Sequence, residues 1–156
     1  MQRALKLAHF AGLVMFLGSI LTFTLISALT ETASLENLVF GREIISTGTR
    51  VLTLPGMWVL AVTGLWLGYR RYGVKRRLFH VKAALIGLII LNAYIFIVPA
   101  AASATELAAQ SLARGELLPA YPDAYMREFF FGAVNVILAV IATVAGVWRP
   151  RETSAP

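Results

Sequence analysis

Four runs of apolar residues, at 7–29, 52–69, 78–98 and 129–148, decide most of what this chain can become. Each is close to the roughly 20 residues that a helix rising 1.5 Å per residue needs to cross about 30 Å of hydrocarbon. Within lipid the backbone must satisfy its own N–H and C=O groups, which leaves helices or closed barrels, and unbroken apolar runs lack the alternation of a barrel strand. The expectation is an all-α fold: a four-helix transmembrane bundle, up-down-up-down, making one domain over residues 1–150 with a disordered tail at 151–156. Composition agrees, since 58% of the residues are hydrophobic and 14% charged, where a soluble domain carries about 25% charged. The opening MQRALK looks like the basic region of a secretory signal, but the apolar run behind it exceeds the usual span of about 7 to 15 residues. We read it as the first membrane helix.

Charge orients the bundle. Arg3 and Lys6 precede the first run, Arg70, Arg71, Lys75, Arg76, Arg77 and Lys82 crowd the second connection, and Arg149 and Arg151 follow the last run. The acids Glu31, Glu36, Glu43, Glu106, Glu116, Asp123 and Glu128 fall in the first and third connections. The positive-inside rule then places both termini and the 70s loop in the cytoplasm, making this a multi-pass protein of the cell's inner membrane. In a chain with net charge +6, that basic loop is a topology signal touching anionic lipid, and nucleic acid is not a partner. With no cysteine, disulfides and thiolate metal sites are both excluded.

The connections differ in kind. RRYGVKRR is a short hairpin turning at Gly73, so the second and third helices should be antiparallel neighbours. The first connection, 30–51, mixes apolar and polar residues and suits an interfacial helix. In the third, Ser103 followed by Glu106 reads as a capping box opening a short helix that Gly115 ends. No internal repeat stands out.

Helical period sorts the faces. His9, Gly12, Phe16, Ser19 and Phe23 share one stripe of the first helix; His80, Ala84, Gly87, Leu91 and Tyr94 share one of the third; Gly132, Asn135, Ala139, Thr143 and Gly146 share one of the fourth. Small residues on a stripe are the usual packing surface between helices in lipid. Asn135 and Tyr94 are expected to form interhelical hydrogen bonds, and Arg50 and Arg127 to anchor at headgroups.

The chain's two histidines, His9 and His80, lie near the cytoplasmic ends of the first and third helices, which an up-down-up-down bundle places diagonally across its core. Two imidazoles so placed suit the axial positions of one haem iron; with no cysteine and no acid inside the runs, a bare zinc or di-iron site would lack ligands. The competing reading is that both rings snorkel to the interface and bind nothing. Lys82 is two residues from His80, about 200° round the helix, so the two should face different surroundings. It is an interfacial anchor or a contact for a substrate or a haem propionate.

The stretches KLAHFAGLVMFLGSI, RVLTLPGMWVLAVTGLWLGY and LFHVKAALIGLIILNAY resemble the superfamily of small four-helix membrane proteins that includes the haem-carrying protoporphyrinogen oxidases of bacteria and the copper-resistance D type proteins. The fourth helix matches loosely, and the family's tryptophan and Pro-Arg pair in helix one and its Asn-Glu-x-Pro motif in helix four have no counterpart here. The resemblance implies haem b held through His9 and His80, and Lys82 as a catalytic residue. It further implies removal of hydrogens from a porphyrinogen with electrons passed to a quinone. The alternative is a cofactor-free structural or copper-handling protein, with Met15 or Met57 near the metal. Self-association into a homo-oligomer is compatible with either.

Overall fold

A computed structural model of the chain describes residues 2–74 and 76–147, so the tail expected at 151–156 lies outside the described residues. Six α-helices follow one another: α1 (Gln2–Thr30), α2 (Leu35–Gly48), α3 (Leu54–Tyr72), α4 (Arg77–Asn92), α5 (Val98–Arg114) and α6 (Tyr121–Val147). Two π-helical turns, Thr49–Thr53 and Ala93–Ile97, join α2 to α3 and α4 to α5 without a break in the helix. Four helices result that are long and apolar enough to cross a membrane, at Gln2–Thr30, Leu35–Arg71, Arg77–Arg114 and Tyr121–Ala145. No strand occurs among the described residues.

The two π turns have the same cause. Proline lacks an N–H, and in a regular helix its ring clashes with the carbonyl four residues back. Pro55 and Pro99 each follow a π turn by two residues, and the wider turn gives that ring room. The N–H of Leu54 reaches the carbonyl of Thr49, and that of Val98 reaches Ala93, each five residues back. The same device thus recurs in the second and third long helices, although the sequence shows no repeat.

Both long helices outrun a bilayer. At 37 and 38 residues each measures roughly 55 Å against about 30 Å of hydrocarbon. The segment expected as an interfacial helix is α2, opened by the Ser34 side chain accepting from the Asn37 N–H at 3.4 Å, and it continues straight into α3. Ser103 and Glu106 lie inside α5 and cap nothing, because the helix is already running from Val98; Gly115 does end it, in the left-handed conformation at φ 74°. Gly73, at φ 67°, ends α3 before the turn into α4.

Packing follows the small residues. α1 lies along α3, α3 against α4, α4 and α5 against α6, and α2 against α1 and α5. A Cβ on Gly12 would sit 2.9 Å from the Leu60 nitrogen, and one on Gly56 would sit 2.8 Å from the Phe16 nitrogen, so the α1 and α3 backbones meet where neither helix has a side chain. Phe16, Met57, Ile89, Ala93 and Ala139 form one buried cluster between α1, α3, α4 and α6. Leu38, Ala104, Ala108, Tyr121 and Ala124 form a second between α2, α5 and α6. Outside these, large apolar side chains such as Leu7, Leu21, Val62, Leu88, Ile95 and Ile137 are exposed, as a lipid-facing belt requires.

The expected stripes of α1 and α6 are correct at their centres, where Gly12, Phe16, Ser19, Asn135 and Ala139 are buried. The stripe of the third helix needs correction. His80, Ala84, Leu91 and Tyr94 are exposed, and the face turned inward carries Lys82, Ile86, Ile89 and Ala93. Small residues marked a packing surface on α1, where another backbone approaches closely; at Gly87 nothing lies within 4 Å of where a Cβ would be.

Candidate functional site

At the end of the bundle that carries the Gly73 turn, α1, α3, α4 and α6 enclose a cavity of about 320 Å³. Its walls are mostly apolar, among them Leu13, Leu60, Ile86, Ile90 and Ala139, and its polar lining includes His9, Lys82 and Arg71. No described lining residue is acidic.

His9 is fixed by α3. Its Nδ1 lies 2.9 Å from the Thr63 hydroxyl. Thr63 has one proton to give, and it goes to the Val59 carbonyl at 2.5 Å. With that proton on the Val59 carbonyl the hydroxyl accepts from the imidazole, the arrangement that places the proton of the neutral ring on Nδ1 and a lone pair on Nε2. Gly64 makes the approach possible: a Cβ there would stand 3.2 Å from the ring's Cε1. The imidazole is half-buried, with one nitrogen held by a neighbouring hydroxyl.

Lys82 and Arg71 come from α4 and α3 on either side of the Gly73 turn, close enough for their charges to interact, and Lys82 also acts electrostatically on His9. Two cations against an apolar cavity make one end of it suited to an anion.

Of the three residues expected from sequence, the fold brings His9 and Lys82 to one cavity and leaves His80 outside its lining. His80 is exposed, with its ring edge-on to Phe79 at 5.8 Å between centroids, and Phe79 stands edge-on to Tyr69 in turn. The 200° separation between positions 80 and 82 holds, and it is the lysine that faces inward. Asn135 accepts from the Asn92 side chain at 3.0 Å, and Asn92 also donates to the Phe131 carbonyl, while Tyr94 accepts from the Trp58 indole N–H at 3.0 Å. Arg50 and Arg127 are exposed. Among the described residues, no group of three or more histidine, cysteine or acidic side chains is arranged to hold a bare metal ion.

A second polar constellation escaped the sequence reading. Arg42, 2% exposed, donates Nε to the Tyr121 hydroxyl at 2.8 Å, Nη1 to Glu128 Oε2 at 2.5 Å and Nη2 to Glu31 Oε1. Glu31 Oε1 also accepts from Tyr121 at 2.7 Å and from Ser27 at 3.3 Å, and the guanidinium lies over the Tyr125 ring at 4.9 Å. The signal was available: Leu35, Leu38, Arg42 and Ile45 share one stripe of α2, and an arginine in an apolar stripe demands carboxylates. This cluster joins α1, α2 and α6 and borders a separate cavity of about 440 Å³. Phe16 and Met57 line both cavities and form a shared wall.

No family model, curated protein or solved structure matches this chain.

Proposed function

We propose that this chain is a multi-pass protein of the cytoplasmic membrane that holds haem b in the cavity beside His9 and works in redox chemistry. In this reading the helices run up-down-up-down, with both termini and the basic Gly73 turn on the cytoplasmic side. The observation that carries the proposal is the oriented imidazole: Thr63 holds Nδ1, Nε2 keeps its lone pair, and Lys82 and Arg71 line the same apolar cavity.

The side chains lining this cavity are of the kinds that hold haem through one protein ligand, and at about 320 Å³ the cavity would take part of the ring. His9 would hold the iron, Lys82 and Arg71 would take the propionates, and Leu13, Leu60, Ile86 and Ile90 would exclude water. Haem so held supplies one-electron chemistry at iron, with potential set by the ligand and by the dryness of the cavity. His80 has no part in that set, since it lies outside the lining. If the protein is an enzyme, Lys82 is the residue placed to hold a carboxylate of a porphyrinogen-like substrate, with a quinone taking the electrons, as the family resemblance implies.

Reconstitution of purified protein with haem tests this. A Soret band and a reduced-minus-oxidised α band should appear in wild type and in His80→Ala and be lost in His9→Ala. Loss in both variants would restore the two-histidine arrangement, and retention in His9→Ala would remove the proposed ligand. One observation favours a copper-handling alternative: Met57, a thioether, lines the same cavity as His9. Haem that never binds, with copper retained by imidazole coordination, would favour that reading.

A further inference from the structure

The 440 Å³ cavity is walled by α1, the two π turns and α6, and it lies within the size range of small-molecule sites, about 300 to 1,000 Å³. Its lining is apolar apart from a few groups, of which Arg42 and Glu128 are charged. Four aromatic rings, Phe16, Phe23, Tyr125 and Phe129, also face it.

The charges do not balance. One guanidinium stands between two carboxylates, Glu31 and Glu128. Glu31 gives its Oε1 to Arg42, Tyr121 and Ser27, and it is not part of the cavity wall. Glu128 is on that wall and gives Arg42 its Oε2 alone, which leaves Oε1 for a ligand. A surplus negative charge in a low-dielectric wall is costly until a cation or a proton meets it. Aromatic side chains beside a carboxylate suit an organic cation, because ring quadrupoles attract positive charge and the apolar cavity accepts its body. The Tyr125 ring already carries the Arg42 guanidinium, which leaves Phe16, Phe23 and Phe129 for that role.

We propose that this cavity binds a lipophilic organic monocation, with its charge against Glu128 and its body among Phe16, Phe23 and Phe129. The site stands apart from the His9 cavity, behind the wall formed by Phe16 and Met57, and does not depend on haem.

Tetraphenylphosphonium and tetraphenylborate, matched in shape and opposite in charge, make the test, with the full chain in lipid nanodiscs and empty discs as the blank. Saturable binding of the phosphonium at one per chain is expected, with no saturable borate site. Glu128→Gln should weaken the phosphonium about tenfold or more, the scale of a hydrogen bond or ion pair to a charged group. Because that variant also disturbs Arg42, Gly132→Leu is the second arm: Gly132 lines the cavity, nothing lies within 4 Å of where its Cβ would be, and the larger side chain should fill the space and abolish binding without lowering the melting temperature. Phosphonium uptake equal to the blank, equal saturable binding of the borate, or unchanged binding in Gly132→Leu would each overturn the proposal, the last two because they mean apolar partitioning or a site elsewhere.

Discussion

The Nδ1 of His9 and the hydroxyl of Thr63 lie 2.9 Å apart across the α1–α3 interface, and with the Thr63 proton on the Val59 carbonyl the hydroxyl accepts from the ring. A 54-residue separation in the chain thus sets which nitrogen of the histidine is available. Thr63→Val should leave the fold intact and release the ring; loss of such a supporting partner typically lowers metal affinity about 10- to 100-fold. Haem titration of the variant should show that drop, with Thr63→Ser restoring wild-type affinity. Equal affinity in Thr63→Val would separate this hydrogen bond from the ligand's function.

Lys82 should matter through charge. It lines the His9 cavity together with Arg71, and under the proposed function a carboxylate-bearing porphyrin would gain a charge-assisted bond there. Wild type should bind protoporphyrin about tenfold more tightly than its dimethyl ester, the size of one hydrogen bond to a charged group. Lys82→Met should narrow that preference by lowering affinity for the diacid alone. Fluorescence quenching with both porphyrins reads the difference, and a preference for the diacid unchanged by Lys82→Met would place the carboxylates elsewhere.

Arg42 holds three helices through two carboxylates and a phenol. Arg42→Met leaves Glu31 and Glu128 facing each other without their cation, and breaking a buried pair by removing one partner costs about 3–5 kcal/mol. The melting temperature in detergent should fall sharply. The triple variant Arg42→Met, Glu31→Leu, Glu128→Leu should recover most of that loss, since a well-packed apolar replacement of a buried ion network is often neutral or better. Failure of the triple variant to recover would mean that Tyr121 and Ser27 need the charges to be satisfied.

Much of this fold was legible because apolar run length is dictated by the bilayer and needs no tertiary information. The buried stripes of α1 and α6 were legible for a related reason, as Gly12, Phe16, Asn135 and Ala139 show a helical period that packing then confirms. The third helix misled because Ala84 and Gly87 imitate a packing stripe, while apolar residues on every side of that helix leave no polar face to mark which side meets lipid. That false stripe sets His80 facing His9, whereas the inward face of the helix carries Lys82. The continuity of α2 with α3 was hidden by Thr49, Arg50 and Thr53, which look like a connection until a π turn before Pro55 carries the helix through. Arg42 was hidden by distance, its partners lying 11, 79 and 86 residues away.

The close approach of α1 and α3 predicts a contrast between two glycines. At Gly12 an added Cβ meets backbone, the Leu60 nitrogen at 2.9 Å and the Gly56 carbonyl oxygen at 3.2 Å, and neither atom can move unless the helices part. At Gly87 the same addition meets nothing within 4 Å. Overpacking of a tight contact costs about 1–3 kcal/mol, so Gly12→Val should lower the melting temperature while Gly87→Ala should not. The functional readout follows from position, because Gly12 lies three residues from His9 on the same buried stripe. Parting α1 from α3 lengthens the His9–Thr63 hydrogen bond, so Gly12→Val should also weaken haem binding, and Gly87→Ala should leave it unchanged. If Gly12→Val loses stability but keeps wild-type haem affinity, His9 does not depend on α3 for its orientation, and the Thr63 prediction fails with it.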